Sequence, residues 1–390
     1  MDEEKINEIT EQSVVEEQPV AEPLPENPRK KKRWLSNAFF VASIALSLYI
    51  MYSFADSNDL DNQKGFWEII SQINVKYLLL SVATLAGMIL LDSLKYLVIM
   101  RATSVNAGLK TALTVGLLGK YYDSITPFSS GGQPMQIYYL HKKGLGGVKS
   151  SAVILIKFAF NMTMWLIICF CLMHFNREVL VIHVDDFTQR IILTVAGWVG
   201  FALSCAMPLV IIACVILPKI TWAITNWALD IGQKLRLVKN KEALLEKGKN
   251  YIDSFSQAFI SMLKRPLHSI ILALLCVAEP LLSMMLPYFV VVAIGGPDIV
   301  PSLQLMLEIM TLNVYAQMSA MIVPTPGNSG AVESAFMFAL TTLSSGALFW
   351  TVFSWRFLSY YSYIIIGTVI VICQFVKNNR KSPAKRLGKQ

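Results

Sequence analysis

The residues of this sequence that could do chemistry in an apolar environment are three carboxylates and one arginine. Glu279 lies in the middle of one apolar run, Glu333 follows an interruption of a second, and Arg356 lies inside a third. An ionisable side chain in such a segment is costly and usually faces a cavity or a partner of opposite charge. We therefore expect Glu333 to pair with Arg356 and Glu279 to line a cavity. Asp123 is a candidate for an inward-facing vestibule, with a simple pair with Lys120 as the alternative.

Two roles remain open for the Glu333–Arg356 pair: contact with a transported headgroup, or a buried ion pair that only fixes two helices. Glu279 and Glu333 are also the carboxylates best placed to couple a proton. Lys157 is expected to extend towards the cytoplasmic surface. Asp92 and Lys95, three residues apart, are expected to form a local pair without a transport role.

The remaining chemistry-bearing residues give no catalytic or metal-binding pattern. The six cysteines lie in apolar segments without a CxxC pair, and the four histidines are scattered. Neither a disulfide framework nor a metal site is predicted from such a distribution. The sequence has no Walker motif and no constellation of nucleophile and base. We expect no metal, no cofactor and no enzymatic activity.

Composition indicates a membrane protein. Of the 390 residues, 54% are hydrophobic and only 15% are charged, against about a quarter charged in a soluble protein. The formal net charge of +8 comes from basic residues that flank the apolar runs, as the positive-inside rule expects. Membrane lipids are therefore the predicted partners, and nucleic acid is not.

The apolar runs predict an all-α polytopic membrane protein with about six full spans, each of roughly 20 residues. An acidic, Pro-rich tail that ends in a basic run (1–33) precedes the integral membrane domain (34–376), and a basic tail (377–390) follows it. A basic cytoplasmic loop (218–266) contains a stretch that could form an interfacial helix. The charge bias predicts a bacterial inner-membrane protein with both termini in the cytoplasm. The expected spans cover residues 34–54, 77–100, 151–173, 191–217, 267–294 and 348–376.

Two further apolar segments are interrupted by turn-forming residues. Residues 111–140 are broken at 126–134, and residues 302–347 are broken at 323–330. We interpret each as a re-entrant helical hairpin, with two full crossings as the rival interpretation. The order span, broken hairpin, span occurs twice, with the hairpins oppositely oriented. That arrangement predicts an inverted repeat with the transport site at the interruptions.

Small and polar residues at the two interruptions are the candidate headgroup path, because glycine and exposed backbone N–H groups suit close approach to a polar group. The alternative is that they only make tight turns. The candidates are Ser129, Ser130, Gly131, Gly132, Gln133 and Gln136 in the first segment, and Pro324, Pro326, Gly327 and Asn328 in the second.

The two interruptions also carry a resemblance. The sequences TPFSSGGQPMQIYYL at 126–140 and PTPGNSGAVE at 324–333 resemble the signatures of the lysylphosphatidylglycerol synthase transmembrane family, over roughly residues 34–376. The resemblance implies a lipid flippase, as in the membrane half of the bacterial multiple peptide resistance factor, and a link to cationic peptide resistance. Asn328 stands where related motifs commonly have Gly, and Gln136 where many have Arg, which weakens phosphate binding through charge at the first segment.

Three functions follow from these observations. The leading one is movement of a phospholipid, such as aminoacyl-phosphatidylglycerol, or of a glycolipid between leaflets. The second is a phosphatidylglycerol lysyltransferase or its membrane subunit, although the residues after the last span are expected to be too few for the catalytic domain. The third is a scaffold for a separate lipid synthase. Oligomerisation is compatible with each of the three.

Overall fold

The computed structural model describes residues 65–103, 107–216, 256–296, 299–340, 343 and 345–386, with isolated residues before 65 and between 221 and 248. The expected acidic tail, the span predicted at 34–54 and most of the basic loop lie outside these residues. The helices that build the site are α1 (Phe66–Gln72), α2 (Val75–Ala102), α3 (Leu109–Ile125), α4 (Gly132–Leu140), α5 (Gly147–Phe175), α6 (Val179–His183), α7 (Phe187–Ile216), α8 (Pro266–Ile294), α9 (Leu303–Ala320), α10 (Ala331–Leu340), α11 (Leu348–Arg356) and α12 (Ser362–Arg386).

Five helical segments of the described residues are long and apolar enough to cross a membrane. They are Val75–Ala102, Gly147–Phe175, Phe187–Ile211, Pro266–Ile294 and Leu348–Gln374. They match five of the six predicted spans, and the sixth lies outside the described residues. The chain is therefore an all-α, multi-pass membrane protein.

The last span contains one irregular turn. Helices α11 and α12 are joined by a π-helical turn at Phe357–Tyr361. A single π-turn inside a helix shifts the side chains on either side of it and is often found at functional sites. Here it follows Arg356 directly and contains Tyr360.

The helix contacts in the two halves of the bundle repeat. In the first half α2 contacts α3, α3 contacts α4 and α4 contacts α5; in the second, α8 contacts α9, α9 contacts α10 and α10 contacts α11. Between the halves, α2 packs against α8, while α3 packs against α12 and α5 against α9. Exchanging the two halves leaves this pattern of contacts unchanged. The interrupted segments α3–α4 and α9–α10 therefore occupy equivalent places.

Helix α7 lies against the second interrupted segment at a glycine. A Cβ atom on Gly200 would lie 1.8 Å from the carbonyl oxygen of Met318 on α9. The contact is to backbone, so a rotamer change cannot relieve it. Gly200 thus sets how closely α7 approaches α9.

We predict that Gly200→Ala lowers the stability of the purified protein by about 1–3 kcal/mol, because the two backbones must separate. Thermal unfolding in detergent measures the change. Gly108→Ala is the matched control, since a Cβ there meets nothing within 4 Å. Equal stability of the two variants would contradict the packing described.

Candidate functional site

The two interruptions contact each other. We call residues 126–131 the first tip and residues 325–330 the second tip. The two tips meet at Pro127 and Pro326, which form an isolated antiparallel bridge. Each tip joins a longer helix to a shorter one, α3 to α4 and α9 to α10. The residues predicted as one candidate path are thus brought together at one place.

The two tips have the same turn. In the first, Phe128 and Ser129 have φ values of 54° and 50°; in the second, Gly327 and Asn328 have 57° and 54°. The amide that follows donates to the proline carbonyl in each case, Ser130 to Pro127 at 3.3 Å and Ser329 to Pro326 at 3.1 Å. Two successive positive φ angles closed by this bond are the pattern of a type I′ turn.

The sequence contains a signal for this equivalence that went unrecognised. Thr-Pro-x-x-Ser-Gly occurs at 126–131 and again at 325–330. The central residues differ: a phenylalanine at positive φ is strained, whereas glycine is not. Phe128 nevertheless adopts that conformation and is exposed.

The second tip is held by a buried carboxylate and the arginine of the last span. Glu333 accepts a hydrogen bond from the Gly330 amide at 2.8 Å, which is one half of a capping box at the start of α10. Its other oxygen lies 2.7 Å from Arg356 Nε, so the predicted pair is confirmed. Arg356 Nη2 also donates to the Gly327 carbonyl at 3.1 Å. Two contacts made by Arg356 therefore fix this segment to the last span, and the capping bond joins the tip to α10.

Tyr360 links the end of α3, just before the first tip, to the second tip. Its hydroxyl lies 2.9 Å from the carbonyl of Ser124, at the end of α3, and 3.3 Å from that of Pro326. Its ring lies against Arg356, at 4.6 Å from the guanidinium carbon. A Cβ on Gly327 would lie 2.2 Å from that ring, so only glycine fits there. Sequence reasoning missed Tyr360, because nothing distinguishes it from the neighbouring aromatic residues of the span.

A second buried group of charges lies between α2, α5 and α8. Lys95 is fully buried, and its ammonium lies 2.9 Å from Glu279 and 3.7 Å from Asp92; it also donates to Asn161. Lys157 lies 2.8 Å from Asp92. The expected local pair of Asp92 and Lys95 is present, but Lys95 also connects α2 to α8 through its closer contact with Glu279. Lys157 does not extend to the surface, because a buried carboxylate holds it.

A central cavity of about 330 Å³ lies where the two groups of charges meet. Six predicted residues line it: Asp123, Ser129, Glu279, Gly327, Asn328 and Arg356. Lys120 lines it too, with 40% of its side chain exposed and its ammonium 3.9 Å from Glu279. The predicted Lys120–Asp123 pair does not form, because Asp123 instead accepts a hydrogen bond from the Gly132 amide at 2.8 Å.

A smaller side cavity of about 100 Å³ lies along the first interrupted segment. Gln133 and Gln136 line it and not the central cavity. Gln136 is buried and donates to the Tyr96 hydroxyl and the Val115 carbonyl, so it joins helices. Asp123 and Lys120 line both cavities.

The other predicted path residues do not line either cavity. Glu333 lies behind Arg356, and Gly131 and Gly132 form the start of α4. Ser130 is exposed and bonds its own turn through Pro127. Pro324 is exposed and Pro326 is buried in the contact between the tips. The geometry of these residues fits the alternative role, in which they only form turns. Within the described residues, no group of three or more His, Cys, Asp or Glu side chains could hold a metal ion.

A known protein family matches this chain. The profile of the lysylphosphatidylglycerol synthase TM region matches residues 40–367. The chain belongs to this family. The match covers both tips, both groups of charges and all five spans except the end of the last one. Comparisons with curated proteins and with solved structures give no match.

We predict that the Lys95–Glu279 pair is strongly coupled. Glu279→Gln or Lys95→Met alone leaves a buried charge without its partner and costs about 3–5 kcal/mol of stability. The double variant removes both charges, so it costs clearly less than the sum of the two. Thermal unfolding of the four proteins measures the coupling energy.

Glu308→Gln is the control for this cycle. Glu308 lies 3.0 Å from His183 in a pair that is less deeply buried than Lys95–Glu279, so its substitution should cost less than that of Glu279. Additive effects of the Lys95 and Glu279 substitutions would show that the pair does not hold α2 to α8.

Proposed function

We propose that the protein moves a phospholipid between the two leaflets of the membrane, with the headgroup passing through the central cavity. The observation that carries the proposal is the meeting of two non-helical tips at a charged cavity inside a bundle of apolar helices. Non-helical backbone within a membrane protein is tolerated only where protein buries it or where it lines a polar cavity. Both conditions suit a passage for a polar group.

We also propose that the two interrupted segments are re-entrant hairpins. Helix α4 has 9 residues and continues into a five-residue π-helical turn at His141–Leu145, and α10 has 10 residues, so at about 1.5 Å per residue the two arms extend roughly 15–21 Å. A hydrocarbon core of about 30 Å is clearly longer than either arm. Short second arms therefore favour hairpins that turn back over two full crossings. The repeated helix contacts support an arrangement of two equivalent halves with opposite orientation.

The proposed orientation follows the positive-inside rule. Basic residues flank the first interrupted segment on both sides, at Lys110 and at Lys142 and Lys143. A cytoplasmic opening for the first hairpin and an external one for the second then fit a bacterial inner-membrane protein with both termini in the cytoplasm.

The charges that line the central cavity suit a headgroup that carries charges of both signs. Lys120 and Arg356 supply positive charge, and Asp123 and Glu279 supply negative charge. A phosphodiester would lie near the cations, and an ammonium near the carboxylates. A zwitterionic lipid or an aminoacyl-phosphatidylglycerol has both groups. The acyl chains would stay among the apolar surfaces outside the bundle.

Lys120 is the residue whose removal tests the passage without breaking the structure. Its side chain is 40% exposed and its one ion contact is long, 3.9 Å. We predict that Lys120→Ala slows lipid exchange about tenfold, the effect of losing roughly 1.4 kcal/mol of headgroup interaction. The thermal unfolding temperature should stay unchanged.

The assay uses purified protein in vesicles with fluorescent analogues of phosphatidylglycerol, lysyl-phosphatidylglycerol and phosphatidylethanolamine, and measures the fraction accessible to an external quencher. Lys149→Ala is the matched control, since Lys149 is exposed and lies outside the cavity. Wild-type protein that exchanges no analogue would contradict the proposal. Formation of a new lipid in the vesicles would favour a synthase, and exchange only with an added synthase would favour a scaffold.

A further inference from the structure

We propose that Asp123 is a proton-binding site and that its protonation releases the first tip. The inference rests on the proposed function, because it names the ion that would control the central passage. It also differs from the sequence-based expectation, in which Glu279 and Glu333 were the carboxylates best placed to couple a proton.

Glu279 and Glu333 are both held in close ion pairs. Each lies within 3 Å of a buried cation, 2.9 Å from Lys95 and 2.7 Å from Arg356 respectively. Losing either contact would leave the lysine or arginine buried without its partner, at a large cost. These two pairs therefore have a structural role, since they join helices.

Asp123 has the opposite surroundings. Among the described residues, no lysine, arginine or histidine nitrogen lies within the 4.0 Å that defines an ion pair with its carboxylate. It is only partly exposed, and it lines both the central and the side cavity. The titratable and charged groups that face these cavities around it are Lys120 on α3, Asp92 and Tyr96 on α2, Lys157 on α5, Glu279 on α8, Arg356 on α11, Tyr360 in the π-turn and Tyr363 on α12.

The Asp123 carboxylate also holds the first tip in place. Its Oδ1 accepts a hydrogen bond from the amide of Gly132, the first residue of α4, at 2.8 Å. A Cβ on Gly132 would lie 2.4 Å from that oxygen, so the carboxylate fills the space that a side chain would take. One carboxylate therefore joins the end of α3 to the start of α4 across the tip.

The two tips differ in what a proton would do to them. A hydrogen bond to a charged acceptor is roughly twice as strong as one to a neutral acceptor, so protonation of Asp123 weakens the link to Gly132. The second tip keeps its capping bond from Glu333 and its contact with Arg356. The first tip is therefore the part that moves when the proton binds, and the second stays fixed.

The test compares wild type with Asp123→Asn, whose amide resembles the protonated carboxyl group. Exchange of fluorescent phosphatidylglycerol is measured in vesicles of phosphatidylethanolamine and phosphatidylglycerol between pH 5 and pH 8. We expect wild type to be about tenfold faster at the acidic end, given the loss of charge assistance at one hydrogen bond. Asp123→Asn should be fast throughout and independent of pH.

The matched control is Asp186→Asn. Asp186 is exposed and accepts a hydrogen bond from the Gln189 amide at 2.7 Å. Like Asp123, it therefore binds a backbone amide at the start of a helix, here α7. This variant should keep the wild-type pH profile. A wild-type rate that does not depend on pH, or an Asp123→Asn variant that keeps the wild-type dependence, would overturn the proton site.

A second measurement separates this inference from the proposed function. Amide hydrogen exchange of peptides covering residues 126–140 is followed at pH 5.5 and pH 7.5, with Asp123→Asn as the reference that cancels the intrinsic pH dependence. Extra exchange in wild type at the lower pH, relative to the variant, supports the proton site even if no lipid moves. Lipid exchange without this difference leaves the proposed function standing and rejects the proton site.

Discussion

The structure depends on finding hydrogen-bond partners for the backbone groups of the two tips, which interrupt helices in an apolar bundle. Where a helix stops, its N–H and C=O groups lose their partners, and water is not at hand to replace them. Here the two tips satisfy this need together. They form a bridge between Pro127 and Pro326, and Tyr360 binds a carbonyl at the end of α3 and another in the second tip. Each interruption is therefore stabilised by the other.

Most of the charged groups around the central cavity also have a close partner of opposite charge. The buried or half-buried groups around the central cavity comprise four cations and four carboxylates: Lys95, Lys120, Lys157 and Arg356, with Asp92, Asp123, Glu279 and Glu333. Contacts of 2.7–2.9 Å join three of these pairs. Lys120 and Asp123 lack such close ion contacts, and both face the cavities. The tight pairs hold helices together, and two of their members, Arg356 and Glu279, also line the central cavity.

The sequence predicted the class of fold because hydrophobic length and charge bias are local properties. It located both interruptions for the same reason, since Pro and Gly mark them directly. The Glu333–Arg356 contact was predicted because two isolated charges in apolar segments each need a partner. The link between Lys95 and Glu279 was missed, because Asp92 offered Lys95 a closer partner along the chain.

Other features depend on three-dimensional packing and leave no pattern in the sequence. Tyr360 acts through its position after a π-turn, and Gln136 through a contact with Tyr96 that spans two helices. The repeat of Thr-Pro-x-x-Ser-Gly was readable, but six residues among 390 gain meaning only when the two turns are seen to be equivalent.

We propose that lipid passes where the two tips meet. The most direct test replaces Pro127 and Pro326 with cysteine in a background without other cysteines. Paired residues in an antiparallel bridge have Cα atoms about 4.5–5.5 Å apart, within the range of a disulfide. We predict that oxidation stops lipid exchange in reconstituted vesicles and that reduction restores it. Exchange that continues at the same rate with the tips cross-linked would contradict the claim.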